Sequence, residues 1–345
     1  MSVFKIVPAL CCTLLLAAGC TKTADTVTLS GETMGTTYTV KYLSDGRHAA
    51  PTPDTLQQQI DAALEEVNRQ MSTYRSDSEI SRFNAMRETG KAMAVSHDFA
   101  AVTAEAVRLN AVTEGALDPT VGPLVNLWGF GPDKTVVREP SPAQIEAAAK
   151  VTGIDKIILR NDTTPPTLAK TRPEVYLDLS AIAKGFGVDK VAQVLEKAGI
   201  GNYLVEIGGE LHGKGHNAQG EAWRVGIEQP NIVQGGGTQI VVPLDNLSLA
   251  TSGDYRIFHT DKNGKRLSHI IHPKTQRPIS HNLASISVLA DNATTADGLS
   301  TGLFVLGEQE AMRLAERENL PVFAIIRTPD GYRTEMSSAF KKLLH

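Results

Sequence analysis

Cysteine is scarce in this chain of 345 residues, and all three cysteines lie within the first 20 residues, at Cys11, Cys12 and Cys20. If that segment is removed, the remaining domain has no thiol for a disulfide, a zinc site or a nucleophile. The domain must therefore be stabilised by its hydrophobic core, for which about 325 residues are ample.

An excess of one charge is also lacking, because 34 lysines and arginines stand against 38 aspartates and glutamates, without a basic run. Nucleic acid is therefore not an expected partner. The sequence contains no phosphate-binding P-loop, no dinucleotide-binding glycine fingerprint, no Gly-x-Ser-x-Gly elbow and no His-Glu-x-x-His pair. Any enzymatic activity must rest on another set of residues.

The N-terminal segment carries a single charge, Lys5, followed by an apolar run that ends in the letters LAAGC at Cys20. This pattern predicts a signal peptide, since the apolar run is too short to span a membrane. The ending resembles the bacterial lipoprotein box, in which the cysteine sulfur receives diacylglycerol. We expect a signal peptide over residues 1–19, a lipid-anchored tether over 20–31 and a folded domain over 32–345.

Hydrophobic periodicity and turn residues predict a mixture of helices and strands. Helices are expected over 54–71, 98–112, 142–151 and 188–198, with a helical pair over 293–318. Strands are expected within 26–43 and over 175–179, 202–207, 223–227, 239–243, 255–259, 267–271, 284–289 and 322–326, with a hairpin turn at Asn263-Gly264. The sum is an α+β fold with a mostly antiparallel sheet core and packed helices.

One candidate metal site follows from the segment TTADGLSTG, in which Asp297 and Thr301 stand four residues apart. On a helix they share a face and can offer a carboxylate and a hydroxyl oxygen to one cation. Oxygen ligands favour magnesium or calcium over zinc. The alternative is that Asp297 merely complements a helix N-terminus while Thr301 lies on the exposed face.

Two further aspartates, Asp118 and Asp178, lie in apolar stretches where an uncompensated carboxylate would be costly. Each must have a partner, from the protein or from a ligand. Asp118 precedes Pro119, so an Asx-type turn is an alternative explanation for it.

Four segments together resemble the ApbE family of FAD:protein FMN transferases: ETMGTTYTV at 32–40, GALDPTVGPLVNLWGFG at 115–131, DLSAIAKGFGVDKV at 178–191, and SHIIHPKTQRPI with TTADGLSTGLFVLG within 268–307. They occur in the family's order along nearly the whole domain. The resemblance implies an ApbE-type, T-fold-like α+β domain that uses magnesium to transfer FMN from FAD to another protein.

The resemblance also implies roles for individual residues. FAD would contact Met34, Tyr74, Ala116, Leu117, Asp118, Asp178, Lys184 and Ile271. Without the family, Met34, Tyr74 and Ile271 would be taken as ordinary core or half-buried residues. Magnesium would be held by Asp297, Thr301 and the backbone carbonyl of Ala181. Ser300 stands where some relatives carry aspartate and is a weaker candidate for a further ligand.

The candidate catalytic base is His269, which lies inside a family motif beside Ile271. A lone strand histidine is more often structural, so the family motif carries this assignment. His272 stands where many relatives have aspartate, and Asp254 is the first alternative base.

The expected reaction attaches FMN to a threonine or serine hydroxyl and releases AMP. Acceptors implied by the resemblance are flavoprotein subunits of membrane respiratory complexes, such as sodium-pumping quinone reductases and Rnf-type complexes. We therefore expect a lipid-anchored protein on the periplasmic side of the inner membrane, although Thr21 after Cys20 lacks the aspartate that commonly marks inner-membrane retention. The rival functions are an FAD pyrophosphatase and a non-catalytic FAD-binding lipoprotein.

We predict that Cys20→Ser leaves the precursor unprocessed by the lipoprotein peptidase, because serine offers no sulfur for the diacylglycerol. Electrophoresis of membrane and soluble fractions would show this, with Cys12→Ser as the matched control that is still processed. Cleavage of the Cys20→Ser protein at the same bond, with release from the membrane, would contradict the lipid anchor.

Overall fold

The computed structural model of the chain describes residues 25–44, 51–130, 139–230, 237–254, 258–260 and 266–344. The predicted signal peptide, Cys20 and the predicted turn at Asn263-Gly264 lie outside these residues. Among the described helices, none combines the length and apolarity needed to cross a bilayer.

The helices, in chain order, are α1 (Pro53–Met71), α2 (Glu79–Ala85), α3 (His97–Val112), α4 (Gly122–Leu127), α5 (Pro142–Ala149), α6 (Ala183–Lys197), α7 (Ala293–Leu306), α8 (Glu308–Arg317) and α9 (Ser338–Leu343), with a short 3₁₀ helix at Ile154–Lys156. The strands are β1 (Asp25–Thr33), β2 (Thr36–Ser44), β3 (Met93–Ala94), β4 (Ile157–Arg160), β5 (Thr167–Lys170), β6 (Tyr203–Ile207), β7 (Glu210–Lys214), β8 (Trp223–Glu228), β9 (Thr238–Leu244), β10 (Leu247–Gly253), β11 (Phe258–Thr260), β12 (Arg266–Ser268), β13 (Ile271–His272), β14 (Arg277–Pro278), β15 (Leu283–Ala290), β16 (Val322–Thr328) and β17 (Gly331–Met336).

The largest sheet in the described part of the chain has eight strands in the order β1-β2-β6-β7-β10-β15-β16-β17, and each neighbouring pair is antiparallel. Smaller antiparallel units are β3-β5-β4, β8-β9, β11-β12 and β13-β14. Helices α6 and α7 pack against each other and against this sheet, and α1 and α3 pack behind them. The predicted α+β class with a mostly antiparallel sheet is confirmed.

The β1 strand overlaps the end of the tether predicted over 20–31, in agreement with the strand pattern predicted from residue 26. Residues 25 to 31, which we expected to belong to the tether, pair with β2, as in the register of Val27 with Tyr42. Their alternating pattern places Leu29 in the core. The folded part of the chain therefore starts by residue 25.

The predicted strand over 175–179 is wrong. Its alternation is real, since Val175, Leu177 and Leu179 are buried. Its backbone, however, is not paired with a strand, because Asn84 exchanges two 2.8 Å hydrogen bonds with the N–H and C=O of Leu177. An extended segment can thus be buried with its polar backbone satisfied by a side chain.

The sequence did not indicate the central strand β10, because serine and threonine interrupt its apolar pattern. Those hydroxyls are satisfied within the structure: Ser248 Oγ lies 2.8 Å from His212 Nδ1, and Thr251 Oγ1 lies 2.7 Å from Ser287 Oγ. Hydrogen-bonded polar side chains are acceptable inside a sheet.

Helix α6 begins five residues before its predicted start, so Gly185 and Gly187 lie inside a helix rather than in a loosened loop. Their lack of a side chain permits close packing. A β-carbon on Gly185 would lie 2.1 Å from the carbonyl oxygen of Ala293 at the start of α7, and one on Gly187 would lie 2.8 Å from Cε of Met34. The chain needs glycine here for contact between elements, not for backbone freedom.

Asp189 fixes the same pair of helices one turn further along α6. Its carboxylate accepts hydrogen bonds from the backbone N–H groups of Ala293 and Thr294, at 2.8 and 2.9 Å, and from the hydroxyl of Thr294. A carboxylate at a helix N-terminus is favourable because that end carries partial positive charge. The start of α7 is thereby held against α6.

We predict that Gly185→Ala destabilises the protein by about 3 kcal/mol or more, since the added methyl group would meet a backbone carbonyl that cannot move alone. The matched control is Gly201→Ala, because a β-carbon there meets no atom within 4 Å. Urea unfolding should show a large loss only for Gly185→Ala. Equal free energies of unfolding for the two variants would contradict the close packing of α6 on α7.

Candidate functional site

The centre of the candidate site is the second turn of α7, which carries Asp297. Its side chain is 2% exposed, and Oδ2 accepts a 2.9 Å hydrogen bond from the backbone N–H of Gly185. Gly185 lies in the first turn of α6, whose first residues have no side-chain cap of their own. The carboxylate therefore serves the N-terminus of the neighbouring helix, while α7 itself is capped by Asn292.

The alternative explanation, in which Asp297 merely complements a helix N-terminus and Thr301 is exposed, is correct only in part. Asp297 does complement a helix N-terminus, but that of α6, and Thr301 one turn later is half-buried rather than exposed. Thr301 Oγ1 lies 3.3 Å from Ser252 Oγ on β10. The carboxylate and the hydroxyl thus both face the packed interior of the domain.

Ser300 lies in the same turn but is engaged by the protein. Its hydroxyl is completely buried, donates to the backbone carbonyl of Asp297 at 2.9 Å, and lies 2.9 Å from Ser252 Oγ. Ser300 thereby ties the second turn of α7 to β10.

Ala181 lies two residues before α6. In a continuous helix the N–H of Gly185 would donate to the carbonyl of Ala181, four residues earlier. That N–H is instead 2.9 Å from Asp297 Oδ2. The carboxylate of Asp297 therefore takes the place of the Ala181 carbonyl as acceptor for the N–H of Gly185. The Ala181 carbonyl, which the family resemblance implies as a metal ligand, lies at this same helix start.

Lys184 lies between two buried carboxylates. Its ammonium Nζ is 3.6 Å from Asp297 Oδ1 and 2.9 Å from Glu210 Oε1. Burial favours the neutral amine, but the negative charges of Asp297 and Glu210 outweigh this effect and raise the pKa of Lys184 above its ordinary value. The lysine that we expected at the flavin is a charged group placed beside the candidate metal ligand.

Glu210 was missed by the sequence reasoning. It is 4% exposed at the start of β7, and burial, together with the nearby charge of Asp297, raises its pKa above the ordinary value, while the ammonium of Lys184 opposes that shift. Its Oε2 atom makes no hydrogen bond within the described part of the chain. The sequence did contain a signal, because Glu210 stands between Gly209 and the apolar Leu211. An uncompensated carboxylate in an apolar stretch is costly, which is the argument that singled out Asp118 and Asp178.

The residues fit a magnesium ion by the chemistry of their donor atoms. In the described part of the chain, no three or more side chains of histidine, cysteine, aspartate and glutamate are grouped to hold a metal. A cation here must therefore use hydroxyl and carbonyl oxygens in addition to Asp297, which suits a hard cation. Burial raises the pKa of Asp297, so a positive charge nearby is needed to keep it ionised.

Asp118 and Asp178 lie side by side in two similar turns. Asp118 Oδ1 accepts from the N–H and the hydroxyl of Thr120 at 2.8 and 2.6 Å, and Asp178 Oδ1 accepts from the same groups of Ser180 at 2.9 and 2.5 Å. The N–H of Asp178 donates to the carbonyl of Pro119 at 2.8 Å. The Asx-type turn is thus present at both aspartates, and burial raises the pKa of Asp118.

Ala116 and Leu117 are core residues that hold this loop to α7. They are 2% and 3% exposed, and the side chain of Leu117 lies against Gly298 and Gly302. The backbone of Leu117 bonds with the side chains of Asn110 and Thr113. The segment therefore places Asp118 beside the helix that carries Asp297.

A cavity of about 370 Å³ opens next to Asp118, with Gly153 and Lys274 among its lining residues. Cavities that bind small ligands have volumes of roughly 300 to 1,000 Å³. Ile271 is 3% exposed and packs with Leu124, which also lines this cavity. Ile271 thus lies behind the cavity wall, in the protein core, and packs against a residue that lines it.

The two remaining flavin candidates differ in exposure. Met34, in the turn between β1 and β2, is half-buried and packs against Gly187 of α6. Gly187 lies one helical turn after Lys184. Tyr74, between α1 and α2, is 89% exposed. A tyrosine this exposed is not a core residue, and its ring is accessible to a planar ligand.

The candidate bases lie on a different segment from Asp297. The chain bends at His269, between β12 and β13, and His269 is half-buried. His272 Nδ1 accepts from the N–H of Lys274 at 3.2 Å, and burial lowers the pKa of His272. Asp254 lies 2.5 Å from the guanidinium of Arg327, so it is committed to an ion pair.

The chain is similar to known proteins of one family over most of its length. The model of the ApbE family matches residues 34–326 of the chain. The FAD:protein FMN transferase of Haemophilus influenzae is 54% identical over 95% of this chain and 94% of its own length. The structure of the flavin transferase ApbE from Vibrio cholerae matches with a TM-score of 0.83 at 48% identity, covering 93% of this chain and 99% of that one. The apo form of the Pseudomonas stutzeri flavinyl transferase ApbE matches with a TM-score of 0.84 at 38% identity, covering 93% and 97%.

Proposed function

The chain belongs to the ApbE family, and from this premise we propose that it is a magnesium-dependent transferase that moves FMN from FAD to a hydroxyl of another protein. The observation that carries the proposal is the buried Asp297, one helical turn from Thr301 and packed against the N-terminus of α6. A buried carboxylate beside a hydroxyl is suited to a divalent cation at a phosphate-transfer site.

In the proposed reaction, the oxygen of a threonine or serine side chain attacks the FMN phosphorus of FAD. The bond from that phosphorus to the bridging oxygen of AMP breaks, AMP leaves, and the hydroxyl proton passes to a base. Asp297, Thr301 and the carbonyl of Ala181 would hold the magnesium. The chemistry supplied by bound magnesium is neutralisation of the charge on the pyrophosphate and on the departing AMP.

The protein's own groups would orient the substrate. Tyr74 offers an exposed ring to the flavin, and Met34 lies next to the first turns of α6. The cavity beside Asp118 has room for part of the FAD molecule. His269 is our proposed base, since it lies in the family motif beside Ile271, whereas Asp254 is paired with Arg327.

We further propose that the protein works as a lipoprotein, anchored through Cys20 on the periplasmic side of the inner membrane. Its acceptors would be flavoprotein subunits of membrane respiratory complexes of the sodium-pumping quinone reductase or Rnf type. A short tether would raise the local concentration of enzyme near such acceptors.

Mass spectrometry of an acceptor fragment incubated with the protein, FAD and magnesium tests transfer directly. The expected result is a gain of one FMN unit, which is absent when the acceptor threonine is replaced by valine. AMP release without any mass gain would identify an FAD pyrophosphatase instead. FAD binding with neither product would identify a non-catalytic flavin-binding protein.

We predict that Asp297→Asn lowers the affinity for magnesium, because the change removes the one carboxylate assigned to the metal. Activity should collapse at low magnesium and recover in part at high magnesium, as followed by AMP release. Asp189→Asn is the matched control, since Asp189 is a carboxylate in the same α6–α7 contact without a proposed metal role. Superimposable magnesium titrations of wild type and Asp297→Asn would refute the metal site.

We predict that His269→Ala binds FAD almost normally but transfers FMN more slowly, on the order of 10²-fold or more, because a general base has been lost. The measurements are FAD affinity and single-turnover transfer at saturating magnesium. His216→Ala, a change at an exposed histidine whose Nδ1 lies 3.0 Å from the backbone carbonyl oxygen of Asn217, should leave the rate unchanged. A normal transfer rate in His269→Ala would assign the base to another group.

A further inference from the structure

Lys184 is placed so that it can compensate either of two buried carboxylates. Its ammonium lies 2.9 Å from Glu210 Oε1 and 3.6 Å from Asp297 Oδ1, so it occupies the space between them. The aliphatic part of Lys184 lies along Gly208, where an added β-carbon would be 3.4 Å from Cδ of the lysine. The chain of Lys184 thus passes Gly208 near its Cδ atom, while its ammonium has two acceptors.

Glu210 has unused hydrogen-bonding capacity in this arrangement. Its Oε2 atom is buried and makes no hydrogen bond within the described ranges, although Oε1 accepts from Lys184. A buried carboxylate oxygen without a donor is unfavourable. A second N–H of the same ammonium could satisfy it, because lysine carries three donors.

From these contacts we propose that Lys184 is a resident cation that compensates Asp297 and Glu210 together in the metal-free protein. When a divalent cation binds Asp297, the ammonium gives up its 3.6 Å contact with Asp297 and keeps only its bond to Glu210. Glu210 is then a positioning residue, because it acts on the metal site through the lysine. This inference rests on the proposed metal site at Asp297.

The exchange explains how Asp297 is accommodated without metal. A buried carboxylate that loses its counter-charge is strongly destabilising, so an empty site would otherwise weaken the contact of α6 with α7. With Lys184 present, the site stays neutralised in both states. The cost is competition, since the cation must displace the ammonium from Asp297.

The test is magnesium binding to the full-length chain in detergent, measured by isothermal titration calorimetry with magnesium chloride alone. The decisive variant is Lys184→Met combined with Glu210→Gln, which removes one charge of each sign and keeps the local net charge unchanged. If Lys184 competes for Asp297, the double variant binds magnesium about fivefold or more tightly than wild type, and its thermal unfolding temperature rises more on adding magnesium. Glu210→Gln alone binds more weakly than wild type, because the lysine then has only Asp297.

The matched control is Lys190→Met combined with Asp98→Asn, which removes a 2.9 Å ion pair between α6 and α3. Its magnesium affinity should equal that of wild type. An affinity of the Lys184→Met, Glu210→Gln variant equal to or weaker than wild type would overturn the exchange, as would unchanged binding in Glu210→Gln. If wild type and Asp297→Asn bind magnesium alike, the metal site itself is wrong and the exchange falls with it.

Discussion

Helices α6 and α7 meet so closely at Gly185 that a β-carbon would lie 2.1 Å from a backbone carbonyl. This contact brings the carboxylate of Asp297 to the first turn of α6, where it accepts the N–H of Gly185. It also brings Lys184, the residue before Gly185, within reach of the same carboxylate. The candidate metal ligands, the lysine and the packing of two helices on the central sheet therefore depend on one close approach.

The charge balance at this contact links stability to the proposed chemistry. Asp297 is buried, and Lys184 and the α6 N-terminus supply the positive charge that an ionised carboxylate requires there. A buried, ionised Asp297 would also bind a divalent cation, whose positive charge would replace that of Lys184 during phosphoryl-type transfer. Asp189 holds the start of α7 against α6 through the backbone N–H groups of Ala293 and Thr294.

Local patterns in the sequence predicted the parts of the site that lie within one element. The four-residue spacing of Asp297 and Thr301 placed both on one helix because helical periodicity is local. Glu210 could not be paired with Lys184 in this way, since they are brought together by the packing of α6 against β7. The alternation at 175–179 predicted burial but not pairing, because a side chain, Asn84, supplies the hydrogen bonds that a strand would.

The most direct test of this account is an anomalous difference map from crystals of the protein soaked in manganese, which substitutes for magnesium at oxygen sites. We predict a peak about 2.0 to 2.2 Å from the oxygens of Asp297 and Thr301, with the ammonium of Lys184 withdrawn from Asp297 and bonded to Glu210 alone. A metal bound elsewhere, or no metal with Lys184 still between Asp297 and Glu210, would contradict the account.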